Sequence, residues 1–146
     1  MPEPATRQAG PEARILREYR TVAVVGISAD EEKASYRVAR YLKEHGYRVI
    51  PVNPREKDVL GERCYPDLCS VPEQIEVVDV FRRPRFLPRV VAEAMYAGAK
   101  VVWMQGGIVH EAAARRAREA GMEVVMDRCM MKEHKNLPAG RQADRR

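Results

Sequence analysis

The chain has 146 residues, of which 45% are hydrophobic and 32% charged, and its net charge is +5. That suits one soluble domain with a real core, and it excludes a disordered or membrane-embedded chain. No apolar run is long enough to span a bilayer, and the start, MPEPATRQAG, lacks the apolar segment of a secretory signal, so the expected compartment is the cytoplasm.

Residues 1–11 read as a disordered leader rich in Pro, Ala and Gly. A short helix over 12–19 follows, with Ile15 and Leu16 as its apolar face. TVAVVGIS then predicts a strand over 21–26, ending in a glycine turn. Ser35 is the expected N-cap of a helix whose apolar side is Val38, Tyr41, Leu42 and His45, with Gly46 ending it. A second strand is expected over 47–52. Pro51 has no N–H, so its last residues should have left the ladder. A short edge strand over 63–65 and a single turn within 67–74 come next. Residues 77–81 form the next strand. Pro84 is placed to start a helix with Leu87, Val90, Val91, Ala94 and Met95 inward, closed by Gly98. Strands over 100–104 and 123–126 flank a helix over 109–120. A last turn in MMKEHKNL precedes a loose basic tail, 138–146.

Short apolar runs alternating with helical spacing point to an α/β fold, a doubly wound and mostly parallel sheet with helices on both faces. In such sheets ligands sit beyond the carboxyl ends of the strands, at the switch in strand order. Those ends here carry small, polar or cationic groups without a carboxylate cluster, the lining expected for a phosphorylated, anionic ligand. Gly26, Ile27 and Ser28 form a turn whose N–H groups and hydroxyl suit a phosphate, or simply a tight turn. The second and third glycines of G-x-G-x-x-G are replaced by Ser28 and Glu31, against a dinucleotide fingerprint. Asn53, Pro54 and Arg55 stand where NAD-binding domains place an acid. A guanidinium there favours a ribose phosphate, as in coenzyme A or NADP. Arg82 and Arg83 follow the buried strand, and strand parity sends them to opposite faces, so at most one should face the ligand. Phe81 and Pro84 are positioned to pack on a base. Gln105, Gly106 and Gly107 form a loop open to an amide-bearing chain. Cys129 reads as structural rather than nucleophilic, since no histidine is assignable to activate it.

The positive charge is spread, and EAAARRAREAG from Glu111 mixes signs, so no nucleic-acid partner is expected. Three cysteines without Cys-x-x-Cys, and three histidines without metal spacing, predict neither disulfides nor a metal site.

Taken together, GIS, GYRVIPVNPR, LGERCYPDL, VDVFRRP, VVWMQGGI and AREAGMEVVMDRCMMKEH resemble the stand-alone CoA-binding protein family. The chain is also similar to the CoA-binding N-terminal domain of the succinyl-CoA synthetase alpha subunit. The resemblance implies a Rossmann-like domain, here 12–137, that binds coenzyme A. It implies that Gly26, Ile27, Ser28, Lys33 and Ser35 hold phosphates, and that Asn53, Pro54 and Arg55 meet the adenosine diphosphate end. Phe81, Arg82 and Pro84 would border adenine and pantetheine. Gln105, Gly106 and Ile108 would line the pantetheine, with Cys129 near the thiol. The phosphohistidine and ATP-grasp parts of the synthetases have no counterpart among these motifs. The expected function is therefore non-catalytic binding of coenzyme A or an acyl-CoA. The alternatives are an NADP-dependent oxidoreductase on the same fold, or a CoA-binding subunit completed by a partner. A homo-oligomer or an acyl-CoA enzyme partner fits the same resemblance; a membrane partner does not.

Overall fold

A computed structural model describes residues 10–138 of the chain. The expected leader lies outside these residues except for Gly10 and Pro11, the cap and first residue of helix α1 (Pro11–Glu18). Of the expected tail only Pro138 is described. No helix among the described residues is long and apolar enough to cross a membrane.

Five strands form one parallel sheet: β1 (Thr21–Val25), β2 (Arg48–Val52), β5 (Val77–Val80), β6 (Val101–Met104) and β7 (Glu123–Val125). Their spatial order is β2-β1-β5-β6-β7, so the chain reverses direction across the sheet between β1 and β5. Helices α3 (Leu87–Ala97) and α4 (Glu111–Glu119) share one core with Ala23, Val25, Ile50, Val52, Val78, Val80, Val102 and Met104. Helices α1, α2 (Ala34–Glu44) and α5 (Met130–Lys135) share the other with Val22, Val24, Val49, Val77, Val101 and Trp103. Both faces are covered, which is why the strands read as continuous apolar runs rather than alternating ones.

Several expectations are corrected by local chemistry. Ser35 is not the N-cap of α2; Lys33 is, and Ser35 lies inside the first turn. Pro51 stays in the ladder, paired in register with Val24. It is tolerated because its missing N–H lies on the outer side of β2, where its carbonyl accepts from Tyr65 N at 3.0 Å. The edge expected over 63–65 is a hairpin, β3 (Asp58–Val59) with β4 (Glu62–Arg63), plus a bridge from Tyr65 to Val52. Leu60 and Gly61 turn it with φ of 57° and 74°, the two positive values a two-residue hairpin of this type demands. Arg48 ties the hairpin to the sheet edge through Glu62 at 2.7 Å and reaches Glu73 at 2.5 Å. Pro84 starts a 3-10 turn, Pro84–Phe86, and α3 begins only at Leu87, with Pro88 in its own first turn. Met95, expected inward on α3, is 37% exposed. Helix α4 begins at Glu111 because His110 caps it, its Nδ1 accepting from Ala113 N at 3.0 Å.

Candidate functional site

The loops after β1, β2 and β5 meet at the switch point. Gly26 extends β1 by one bond, its N–H donating to Val52 O at 2.9 Å. Its φ is +87°, and a Cβ added there would fall 2.6 Å from Phe81 O and 2.9 Å from Arg82 Cδ. Glycine is therefore required by the close approach of the β5 loop. Asn53 staples two loops: its Nδ2 donates to Ile27 O at 2.7 Å, and its Oδ1 accepts from Arg55 N at 2.9 Å. Ile27 itself is fully buried in the α2-side core, so its side chain packs and its backbone serves the loop. Ser28 N donates to Ser35 Oγ at 3.0 Å, and Ser28 Oγ accepts from Asp30 N at 3.0 Å. These hydroxyls shape the turn that leads into α2; Lys33 stands exposed at its cap.

This framework surrounds a cleft of about 470 Å³ lined by Gly26, Asn53, Pro54, Arg55, Phe81, Arg82, Arg83, Arg85 and Phe86. Four of the nine are arginines and none is acidic. Among the described residues, none of these four guanidinium groups forms an ion pair with a carboxylate. Uncompensated positive charge lining a concave surface raises the local concentration of anions. Arg82 and Arg83 both line the cleft, where at most one was expected to face a ligand. Strand parity does not apply to them, because β5 ends at Val80. Arg85 and Phe86 were missed by the sequence reading. The 3-10 turn brings them in, and Phe86 carries two guanidinium groups, Arg82 at 4.0 Å and Arg85 at 4.7 Å from the ring centre. The run FRRPRF was the available signal.

Of the remaining expected residues, Pro84 starts that turn without lining the cleft. Gln105, Gly106 and Ile108 lie beyond β6 and Cys129 beyond β7, and none of them lines it. Gln105 is buried, and its Oε1 accepts from Met130 N at 3.1 Å, which holds the first turn of α5. Asp127 adopts φ of 58° and accepts from Gly107 N at 2.7 Å through Oδ1, while its own N–H donates to Ile108 O at 3.2 Å. The loops after β6 and β7 thus brace each other. Ile108 packs against the α3–α4 core; Cys129, half-buried, packs against the other. The Nδ1 of His134, the histidine nearest Cys129 in sequence, is 2.8 Å from the Tyr41 hydroxyl. No group of His, Cys, Asp or Glu among the described residues is arranged to hold a metal ion.

One further polar group was missed. Asp79 on β5 is fully buried between Val24 and Trp103 of the neighbouring strands. Neither carboxyl oxygen has a hydrogen-bond partner among the described residues. Burial pushes its pKa well above the usual carboxylate range. The lone acid within VVDV was the signal.

Among known proteins, the chain is similar to Uncharacterized protein YneT of Bacillus subtilis, 37% identical over 82% of this chain and 89% of that one. It is similar to the Acetate–CoA ligase [ADP-forming] II subunit alpha of Pyrococcus furiosus, 29% identical over 82% of this chain but only 29% of that subunit. The fold matches a solved hypothetical protein from Pyrococcus horikoshii OT3 with a TM-score of 0.84 and 42% identity, covering 89% of this chain and 94% of that one. Residues 20–135 match the model of the CoA binding domain, and the chain belongs to that family.

Proposed function

We propose that this chain binds coenzyme A, free or acylated, with its phosphates in the arginine-lined cleft, and that it does so without catalysing thioester chemistry. The observation that carries this reading is the set of four guanidinium groups, Arg55, Arg82, Arg83 and Arg85, around one cleft with no carboxylate in its lining. Coenzyme A brings a pyrophosphate and a ribose 3′-phosphate, and guanidinium–phosphate bonds are among the strongest available at a partly wet surface. Arg55, in the loop after β2, stands near where the ribose edge lies in doubly wound nucleotide sites. The pantetheine arm would run toward the loop of Gln105, Gly106 and Ile108, which opens at the same end of the sheet, with Cys129 farther along. In this reading Ile27, Ser28, Lys33, Ser35 and Asn53 act through the backbone turn that presents the cleft. The three free cysteines suit a reducing cytoplasm, where we place the chain. The likeness to a ligase subunit supports an acyl-CoA enzyme as its partner.

Calorimetric titration with coenzyme A, dephospho-coenzyme A and NADP tests the reading. Coenzyme A is expected to bind most tightly, with the 3′-phosphate contributing about 1.5–3 kcal/mol. Equal affinity for the dephospho form would remove the phosphate role of Arg55, and tighter binding of NADP would replace coenzyme A as the ligand.

A further inference from the structure

Away from the cleft, four rings gather where α5 packs on α2: Tyr41 in the last turn of α2, His45 at its C-cap, Tyr47 just before β2, and His134 on α5. His134 is fully buried. Its Nδ1 lies 2.8 Å from the Tyr41 hydroxyl. Its ring stands edge-on to those of Tyr41, His45 and Tyr47, with centres 5.4, 5.3 and 5.7 Å away. His45 stacks on Tyr41 at 3.9 Å, and its Nδ1 is 2.7 Å from the Tyr41 carbonyl oxygen. A carbonyl only accepts, so Nδ1 of neutral His45 carries the proton and Nε2 is left to gain one. Burial pushes the Tyr41 phenol up, so it stays a neutral hydroxyl. Lys135 places its ammonium over the Tyr41 ring at 5.4 Å. Tyr47 donates its hydroxyl to Leu16 O of α1 at 2.5 Å. Glu133, the neighbour of His134 on α5, interacts with Glu12 of α1 and Arg128.

With both imidazoles neutral, these rings pack as one aromatic cluster. With a proton added to each, two cations stand 5.3 Å apart, one of them fully buried, beside the Lys135 ammonium. Burial and like charge both oppose that state. We propose that the cluster is a pH-sensitive latch, and that proton uptake by His45 and His134 releases α5 from α2. The effect reaches the loops that precede α5. Met130 N donates to Gln105 Oε1 at 3.1 Å, and Trp103 Nε1 donates to Arg128 O at 2.8 Å. Release of α5 loosens both contacts and with them the braced loops after β6 and β7. The arginine-lined cleft, built from the loops after β1, β2 and β5, stays in place.

Trp103 is the single tryptophan of the chain, so its emission reports the contact just ahead of α5. The test is an acid titration of the full chain without ligand, following Trp103 emission and far-UV circular dichroism. The expected result is a reversible red shift between about pH 5 and 7 with most of the far-UV signal retained. His134→Gln still offers the Tyr41 hydroxyl a partner but takes no proton, so it should keep the emission of the closed chain throughout. His45→Gln should make the transition shallower, because one proton rather than two is taken up on opening. A wild-type chain that shows no shift overturns the latch, and so does a shift that coincides with loss of the far-UV signal. A shift that survives His134→Gln overturns it too, and assigns the titration to Asp79 beside Trp103 or to the cap residue His110. If His134→Gln is open or unfolded at every pH, the steepness in His45→Gln decides alone, and an unchanged steepness overturns the proposal.

Discussion

Gly26 shows how a residue that lines the cleft can be required there by the packing of the chain itself. A side chain there meets two separate penalties. A positive φ costs a non-glycine residue about 1–2 kcal/mol. In addition, the Cβ would press on the Phe81 carbonyl, a backbone atom that cannot rotate away. Gly26→Ala should therefore lower the urea midpoint and weaken coenzyme A binding in the same variant, since relieving the clash must displace Phe81 and Arg82 from the cleft. An unchanged midpoint with full affinity would show that the β5 loop yields freely. At this scale the sequence marked positions at the cleft, but not the contacts that hold them there. Gly26 and Arg55 stood out from their place after a strand, and both line the cleft. Asn53 stood out in the same way and lines the cleft too; that its amide also joins the first two loops was not legible, since that partner sits 26 residues away in the chain. Arg85 and Phe86 escaped because their convergence comes from a 3-10 turn, whose three-residue repeat is too brief to leave a pattern.

Among the elements, β5 is the most exacting, because it is the middle strand and holds Asp79 against both neighbours. A carboxyl buried without a partner stays protonated in the folded chain, whereas in the unfolded chain it ionises near pH 3.9. The folded state thus binds one more proton from about that pH up to the raised folded pKa. Over that window stability falls by about 1.4 kcal/mol per pH unit from this group alone. Glu62 and Glu73 act in the opposite sense: Arg48 lowers both, so their contribution is present above their unfolded pKa and is lost as pH falls through the folded one. Asp79→Asn isolates the first effect, since an amide is neutral in both states and the surface acids cancel in the comparison. The unfolding free energy of the variant relative to wild type should rise as the pH is taken from 5 to 7. A difference that stays flat across that range would mean that Asp79 is ionised or partnered in solution. The strands themselves were legible because both faces of the sheet are covered, which leaves uninterrupted apolar runs. The β3–β4 hairpin was half-legible: four strand residues and a turn built on Leu60 and Gly61 leave almost no periodicity to read.

At the level of the whole molecule, the sheet order β2-β1-β5-β6-β7 gathers the first three loops into one cationic groove and leaves the β6 and β7 loops to brace each other. The general character of the site was legible from composition at the strand ends, because the topology rule assigns those ends to the ligand before any contact is known. Its limits were not, because the division between the groove and the braced loops is set by side-chain hydrogen bonds. This division bears on chemistry. Thioester hydrolysis or transfer needs a nucleophile or general base within hydrogen-bond reach of the reacting carbonyl. The cleft lining holds no histidine, cysteine, lysine or carboxylate. Asp127, the carboxylate nearest the β6 loop, is committed to Gly107 N through Oδ1. Arginine remains protonated at any working pH and cannot serve as the base. Acetyl-CoA incubated with the purified chain should therefore release free thiol no faster than in buffer, while still competing with coenzyme A for the cleft. Protein-dependent thiol release that disappears in Asp127→Asn or Cys129→Ser would assign catalysis to the braced loops and end the binding-module reading. Release unaffected by either substitution would place a base elsewhere on the chain and end it equally.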